Sequence, residues 1–554
     1  MAERETELDR VTELWKMFRE GREYQSAKGL SRILPACVRF YEGDQWAPPT
    51  KNTRNLPRPV VNFTKMICRS KKSAILSTPQ RIVYRSYDGT VDTERLNSFA
   101  EYIGHEMGQD DLDRRGIDCA VKKGTYIYHY YWDSHARGLR GRAGGALRGE
   151  LLEPLNVFFA DPTETDEQKQ AWILIATRES VETVKSMCKT QSECDAIVSD
   201  SESDPYGTVE SGVGGLVTVL TRYFRRNGEV FVERATKSVL LGDAFPITPD
   251  PARFRKRLLG EDPTLSGLPE EVTAQEKRKD TGIRATLYPV VVGQYEEREG
   301  CIYGLGEVEG IIPNQRAVNF NLAMMLLSAQ ENGWGKYIVS KDALRGQVIT
   351  NEPGQVLTDH TPGGGGIRRL SDHSLPAAPM QIVEALTRLT RTVSGASEVM
   401  TGEVLGSGMS GAAIAQLQSQ ALRPVEELRR AFCKVKEKQG LVLAQFFKLY
   451  YTDTPYPARN ADDGYRYEVF DSAPYRDAEL EVSVEAVGGV HASAAGDISA
   501  LDVALKNGAI SLVTYFQLYP KDALSNRREI IDAIRREQAS GGEEFTVDDP
   551  ILGI

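Results

Sequence analysis

One helix constrains this chain more than any other feature. Ile414, Leu417, Ala421, Val425, Leu428, Phe432, Val435, Val442, Phe446 and Leu449 follow one another at three-or-four spacing, and only Gln439 breaks the stripe. Such a stripe is one buried helix face. About 36 residues at a rise of 1.5 Å each make a rod of about 50 Å. Few small-molecule enzymes need so long a helix after a glycine loop, whereas a large ring-shaped assembly does. The segment before it is organised to match. Tyr303-Gly304-Leu305-Gly306 opens a helical stretch to about Gln330, and a compact β-and-turn segment follows. A second helix runs from about Pro379 to Val393, and a loop of Gly, Ser, Met and Thr (394–410) leads into the long helix.

The bulk numbers set bounds. The chain has 554 residues, enough for three or four cores at about 150 residues per domain. A net charge of −10 argues against a general nucleic-acid-coating role, which needs broad positive potential. It suits both ordinary solubility and a duct through which DNA slides without sticking. The cysteines at 37, 68, 119, 188, 194, 301 and 433 are odd in number, and no pair has C-x₂-C spacing. Cys188 and Cys194 are the nearest pair and have no histidine beside them. Reduced cytosolic thiols are therefore expected, rather than a zinc site. The first 18 residues are charged and amphipathic, with no apolar signal core. The longest apolar runs fall well short of the roughly 20 residues of a membrane span.

Along the chain the reading is mixed α and β. A helix is expected over about Glu3 to Gly21 and another over Val60 to Leu76. Between Lys51 and Arg85 there are nine Lys or Arg and no Asp or Glu. This basic segment faces phosphate or, as the default, is a cationic helix face paired with acidic neighbours. Tyr126 to Trp132 is an aromatic-rich strand, with Glu150 to Phe159 as its hairpin partner across a Gly/Arg loop. A helix near Val181–Cys188 takes Ser180 as N-cap. Asn227-Gly228 signals a hairpin within Val217 to Leu241. Strands are expected over Tyr465 to Phe470 and Glu479 to Val487, and helix from Ser499 to Gln538.

Signatures of catalysis are mostly missing. No phosphate-binding loop of the form G-x₄-G-K-[S/T] occurs. Gly363 to Gly366 follows Thr361-Pro362 and opens no helix, so it reads as a hinge or turn. Gly304-Leu305-Gly306 is half of a dinucleotide fingerprint without a βαβ frame. The six histidines have no ligand spacing, and Ser407-Gly408 with Ser410-Gly411 is not a nucleophile elbow. No cofactor and no enzyme activity are expected.

Several segments, in order, resemble the portal proteins (head–tail connectors) of tailed bacteriophages and prophages. They are Arg58-Pro59-Val60-Val61-Asn62 with Leu76-Ser77-Thr78-Pro79, and Leu152 to Val157 with Ala160-Asp161-Pro162 and Trp172-Ile173. Tyr288-Pro289-Val290-Val291, Tyr303 to Val308, Gln315, Asn319 and Asn321 follow. Lys336 to Val339, Pro353 to Leu357, and Ser410 to Ile414 with Leu417-Gln418 complete the set. The resemblance covers about residues 40 to 450. Residues 195–285 and the C-terminal tail match no pattern of the family.

The resemblance implies an α+β, portal-type multi-domain fold assembled as a ring of about twelve subunits around a DNA channel. Its parts would be a wing region (1–304), a first stem helix (305–335), a clip (336–378), a second stem helix (379–393) and a tunnel loop (394–410). A long kinked wing helix with wing strands (411–490) and a helical crown with tail (491–554) would follow. The kink is expected at Pro424, whose ring clashes with the Gln420 carbonyl. The resemblance further implies a virion protein at one capsid vertex, assembled in the bacterial host cytoplasm, with no membrane. Its partners would be copies of itself, double-stranded DNA, the terminase large subunit, the head–tail adaptor, and the major capsid and scaffolding proteins. Lys341, Asp342, Arg345, Glu352, Pro353, Gly354, Arg368 and Arg369 would serve partner docking at the clip. Val399, Met400, Thr401, Gly402, Glu403, Val404, Leu405, Gly406 and Ser407 would face DNA in the tunnel loop. That loop has Glu398 and Glu403 as its charges and no Lys or Arg, so tight salt-bridge grip on DNA is not expected. Gln315, Asn319 and Met325 would make intersubunit contacts along the stem. Without the resemblance, the polar ones among them would simply face water and the loop would be an ordinary interhelix connection.

Overall fold

The computed structural model describes residues 2–539 except 52, 55, 88, 90, 135, 137–144, 189, 205–214, 249–283, 334–336, 342, 349–357, 364, 370–377, 396–410, 452–453, 460–464, 487–492 and 520–526. Its first part holds α1 (Ala2–Ala27), α2 (Leu30–Glu42), α3 (Phe63–Leu76), β1 (Gln80–Ser86), α4 (Thr93–Met107) and α5 (Gln109–Lys123). Then come β2 (Thr125–Asp133), β3 (Ala146–Leu152), β4 (Val157–Phe159), β5 (Trp172–Ser180), α6 (Val181–Lys185) and α7 (Gln191–Ala196). They lead to β6 (Leu216–Arg226), β7 (Glu229–Ala235), β8 (Phe245–Pro246), β9 (Val290–Gln294), β10 (Glu296–Arg298) and β11 (Cys301–Leu305).

An antiparallel sheet runs in the order β4-β5-β6-β7-β8, and a smaller one in the order β3-β2-β9. The first is covered on both faces, as alternation along its strands requires. Phe158, Leu174, Ala176 and Leu220 meet Val11, Leu14, Trp15 and Phe18 of α1. Val157, Phe159, Ile173 and Ile175 pack on the opposite side with Tyr288, Val290 and Tyr303. Asn227 and Gly228, at φ 52° and 81°, turn β6 into β7 as the Asn-Gly pair predicts.

Three sequence expectations are corrected here. The partner strand of β2 ends at Leu152. A 3₁₀ turn at Pro154–Asn156 then redirects the chain, and β4 joins the other sheet. Proline has no N–H for the ladder, so one continuous strand through residue 154 is disfavoured. Ser180 does precede α6 but makes no side-chain cap bond, and the Val181 N–H donates to the Gly215 carbonyl instead (2.9 Å). Residues 301–305 are a strand and the helix begins only at Glu307. A Cβ at Gly124 would lie 2.5 Å from the Gly306 nitrogen, so the glycines at 304 and 306 serve close backbone packing rather than phosphate binding.

The second part is built on three helices: α8 (Glu307–Gly333), α9 (Ala378–Val393) and α10 (Gly411–Tyr450). A two-stranded ladder of β12 (Tyr337–Val339) and β13 (Ile367–Arg369) lies between α8 and α9 in the chain. After α10 come β14 (Thr454–Arg459), β15 (Tyr465–Phe470), β16 (Leu480–Ala486), α11 (Ser493–Lys506), α12 (Leu512–Leu518) and α13 (Arg527–Ala539). β16 pairs with β1 across some 400 residues of chain. The largest core joins α4, α10, β1 and β15, with Phe99 stacked on Phe470 at 3.9 Å between ring centroids. Pro455 and Pro457 lie within β14, a strand not anticipated from a proline-rich stretch.

Candidate functional site: the two-helix hairpin

The start of α8 is clamped by charge. Lys71 on α3 reaches the Glu307 carboxylate at 2.7 Å, and the Tyr295 hydroxyl donates to the same oxygen at 2.9 Å. Both charged side chains are nearly buried. Burial, reinforced by Glu307, pushes the Tyr295 phenol well up. Removing one member of such a pair would leave an uncompensated charge, so the clamp holds the root of the helix in one place. Arg298 pairs with Glu309, two residues further on, at 3.0 Å.

Above this clamp runs a chain of buried amides. Gln315 accepts from the Thr64 backbone (3.2 Å) and hydroxyl (3.0 Å). It donates to the Val61 carbonyl (2.8 Å) and to Asn319 Oδ1 (3.0 Å). Asn319 then donates to Gln45 Oε1 (2.6 Å), and Gln45 to the Phe40 carbonyl (2.8 Å). Gln315 is 0% and Asn319 2% exposed. They share a helix face with Ile311 and Val318, which pack on Phe63 and Ile67 of α3. The two residues expected at intersubunit contacts or at water are therefore held inside their own chain, because the helix turns them inward with the apolar stripe. Asn321 donates to the Ala317 carbonyl (2.8 Å). Met325, further out, is half-buried. Asn314 donates to Thr390 Oγ1 at 2.9 Å, which pairs the root of α8 with the end of α9 and makes the hairpin antiparallel.

The outer face of the hairpin is different. Phe320 and Met324, one turn apart on α8, are exposed, Phe320 at 53%. On α9, Ile382, Leu389 and Val393 are exposed, Leu389 at 56%. At the tip, Tyr337, Ile338 and Val339 pair with Arg369, Arg368 and Ile367. The Asp359 carboxylate accepts from the backbone N–H groups of Thr361 (2.9 Å) and Gly366 (2.8 Å) and from the Thr361 hydroxyl. These bonds, led by the Thr361 hydroxyl, hold its pKa down at about 2. Gly363 and Gly365 turn here with positive φ, and Ser340 N–H closes on the Gly366 carbonyl at 2.7 Å. Lys341, Arg345 and Arg368 are all exposed on this tip, and Arg345 adopts φ 42°. Asp342, Glu352, Pro353, Gly354 and the side chain of Arg369 lie outside the described residues, as do the nine residues from Val399 to Ser407 assigned to the DNA-facing loop.

α10 carries the hairpin back into the body. Val425, Phe432, Val435, Val442, Phe446 and Leu449 are buried, as the stripe predicts. Lys436 reaches Asp113 at 2.8 Å and the Gln80 carbonyl at 2.9 Å. Gln445 accepts from Thr286 and Leu287 N–H (2.8 and 2.9 Å). Pro424 lies inside the helix and meets the end of α9, since a Cβ on Gly395 would be 3.2 Å from the proline Cβ. The basic segment also resolves in part. Lys71 and Lys72 pair with Glu307 and Asp118, and Arg81 and Arg85 pair with Glu101 and Glu485. That is the pairing with acidic neighbours taken as the default. Among the described residues there is no group of three or more His, Cys, Asp or Glu able to hold a metal, and no helix long and apolar enough to cross a membrane.

Residues 272–456 match the family model described as Phage P22-like portal protein. The matched stretch contains α8, the tip ladder, α9 and α10, and it supports a phage portal protein family for the chain. No curated protein matches the chain.

Proposed function

We propose that this chain is the portal subunit of a tailed phage or prophage. About twelve copies would close into a ring at one capsid vertex, nucleate head assembly and form the conduit for DNA packaging and ejection. The ring would dock the terminase motor first and the head–tail adaptor later. The α8–α9 hairpin would be the stem, the β12–β13 tip the clip, and residues 394–410 the tunnel loop. Catalysis would belong to the motor and not to this chain.

Beside the family match, one observation supports the reading. Phe320 and Met324 on α8, and Ile382, Leu389 and Val393 on α9, stay exposed within one chain, although Ile311, Gln315, Val318 and Asn319 on α8 and Thr390 on α9 are buried. Apolar side chains left exposed on two packed helices are what copies arranged about a rotation axis would cover. Twelve copies of the 61.5 kDa chain amount to roughly 740 kDa. Mass photometry of purified protein should find a species near that mass, and electron microscopy should find a ring with a channel of duplex width. A monomer persisting across salt and concentration sinks the proposal. A ring without such a channel favours another head structural protein.

A further inference from the structure

We propose that Cys188 and Cys194 are a dithiol–disulfide site that closes α6 onto α7. Cys188 follows α6 and Cys194 lies within α7, and the two short helices pack at one end of the larger sheet. Val184 of α6 and Ile197 after α7 pack with Val217, Val219 and Val239, and Cys188 leans on the same cluster. Their thiols converge on one turn of backbone. Cys188 Sγ donates to the Val184 carbonyl at 3.6 Å, and Cys194 Sγ to the neighbouring Lys185 carbonyl at 3.4 Å. A capping box fixes the second helix, with Thr190 and Glu193 each bonded to the other's backbone. Both thiols are free and part-exposed, whereas Cys37, Cys68 and Cys301 are buried.

The chemistry balances with a small-molecule disulfide such as oxidised glutathione as oxidant. One protein thiolate attacks it, forming a mixed disulfide and releasing one small thiolate, which takes up the proton lost by the cysteine. The second cysteine attacks the protein sulfur of that mixed disulfide, and the Sγ–Sγ bond forms as the second small thiol leaves. Two protein thiols lose two electrons and two protons, and one small disulfide becomes two thiols. Burial, then the neighbouring thiol, pushes Cys188 up to about 11, which keeps it a weak nucleophile at neutral pH. The redox poise of the medium would keep the pair reduced where thiols are maintained, and the weak nucleophile would make closure slow in an oxidising one. On the portal reading, that change of medium is the release of the particle from its host. Closure itself does not rest on that reading.

The test uses the full purified chain, folded, with excess oxidised glutathione at pH 8.5, followed by alkylation and non-reducing tryptic mapping. Trypsin cuts after Lys185 and Lys189, so the two cysteines fall in separate peptides, 186–189 and 190–222. The expected product joins these peptides through Cys188 and Cys194 in most molecules, and dithiothreitol separates them. The single variants Cys188→Ser and Cys194→Ser should instead carry one glutathione on the remaining thiol. Both cysteines recovered alkylated, or each carrying its own glutathione in the unaltered chain, overturns the proposal. A link that forms only after urea unfolding does so too. Because ring formation is not read in this assay, its failure and that of the portal reading are separable.

Discussion

The root and the outer half of α8 are one helix under two regimes. From Glu307 to Asn319 the helix is held by its own chain, through the Lys71–Glu307 clamp and the amide relay from Thr64 to Phe40. From Phe320 onward it leaves large apolar side chains half exposed, Phe320 at 53% and Met324 at 43%, although Ala323 is buried and Leu322 still packs on the α3 cluster. The difference teaches that polar and apolar residues have exchanged their usual places. Amides are buried where one geometry must be specified, and apolar groups are left exposed further along the same helix.

The largest effect should come from the exposed apolar side chains. Phe320→Glu combined with Leu389→Glu should abolish the high-mass species in mass photometry while leaving the thermal unfolding of the subunit within a few degrees of the original. Survival of the ring would remove the outer face from the interface. Next is the clamp. Lys71→Met should destabilise the root by about 3–5 kcal/mol by leaving Glu307 buried and unpaired, and adding Glu307→Leu should recover most of that loss. Hydrogen exchange of residues 307–319 reads the effect, and an equal loss in the double variant would contradict it.

The relay comes third. Gln315→Ala leaves donors at Thr64 and acceptors at Val61 and Asn319 without their partner, at about 1–3 kcal/mol. Asn321→Ala, a bond to its own helix, should cost under about 0.5 kcal/mol. Comparable losses in urea unfolding would erase the contrast between inward and outward polar positions. The smallest effect is at the tip. The Asp359 carboxyl, ordinarily near 3.8, is held at about 2 in the folded chain, so its bonds stabilise the turn above pH 4. That contribution is lost as pH falls from about 4 through about 2. Asp359→Asn should loosen the turn at pH 7, read as faster exchange of the Gly366 amide, and should abolish the acid dependence of that amide.

Much of the helical frame was legible in the residues. The stripe from Val425 to Leu449 follows from 3.6-residue periodicity, the side chains of Ile414, Leu417 and Ala421 lying outside the described residues; the Asn227-Gly228 turn follows from φ preference and the Gly363–Gly366 turn from the absence of a following helix. These are local properties, decided among neighbours in the chain. The candidate site was legible only in outline. The tip carries Lys341, Arg345 and Arg368 as exposed cations, but nothing in the sequence distinguishes an inward Gln315 from an outward one.

By itself, then, the amino-acid sequence determined where the long helices lie and which of their faces is apolar, because helix phase is set by residues three and four apart. Only the tertiary structure decided what meets those faces. Gln45 finds Asn319 across 274 residues, Tyr84 donates to the Gly440 carbonyl across 356, and β1 takes β16 as its partner. Such pairings depend on how distant segments close and pack together, and no local pattern carries that information.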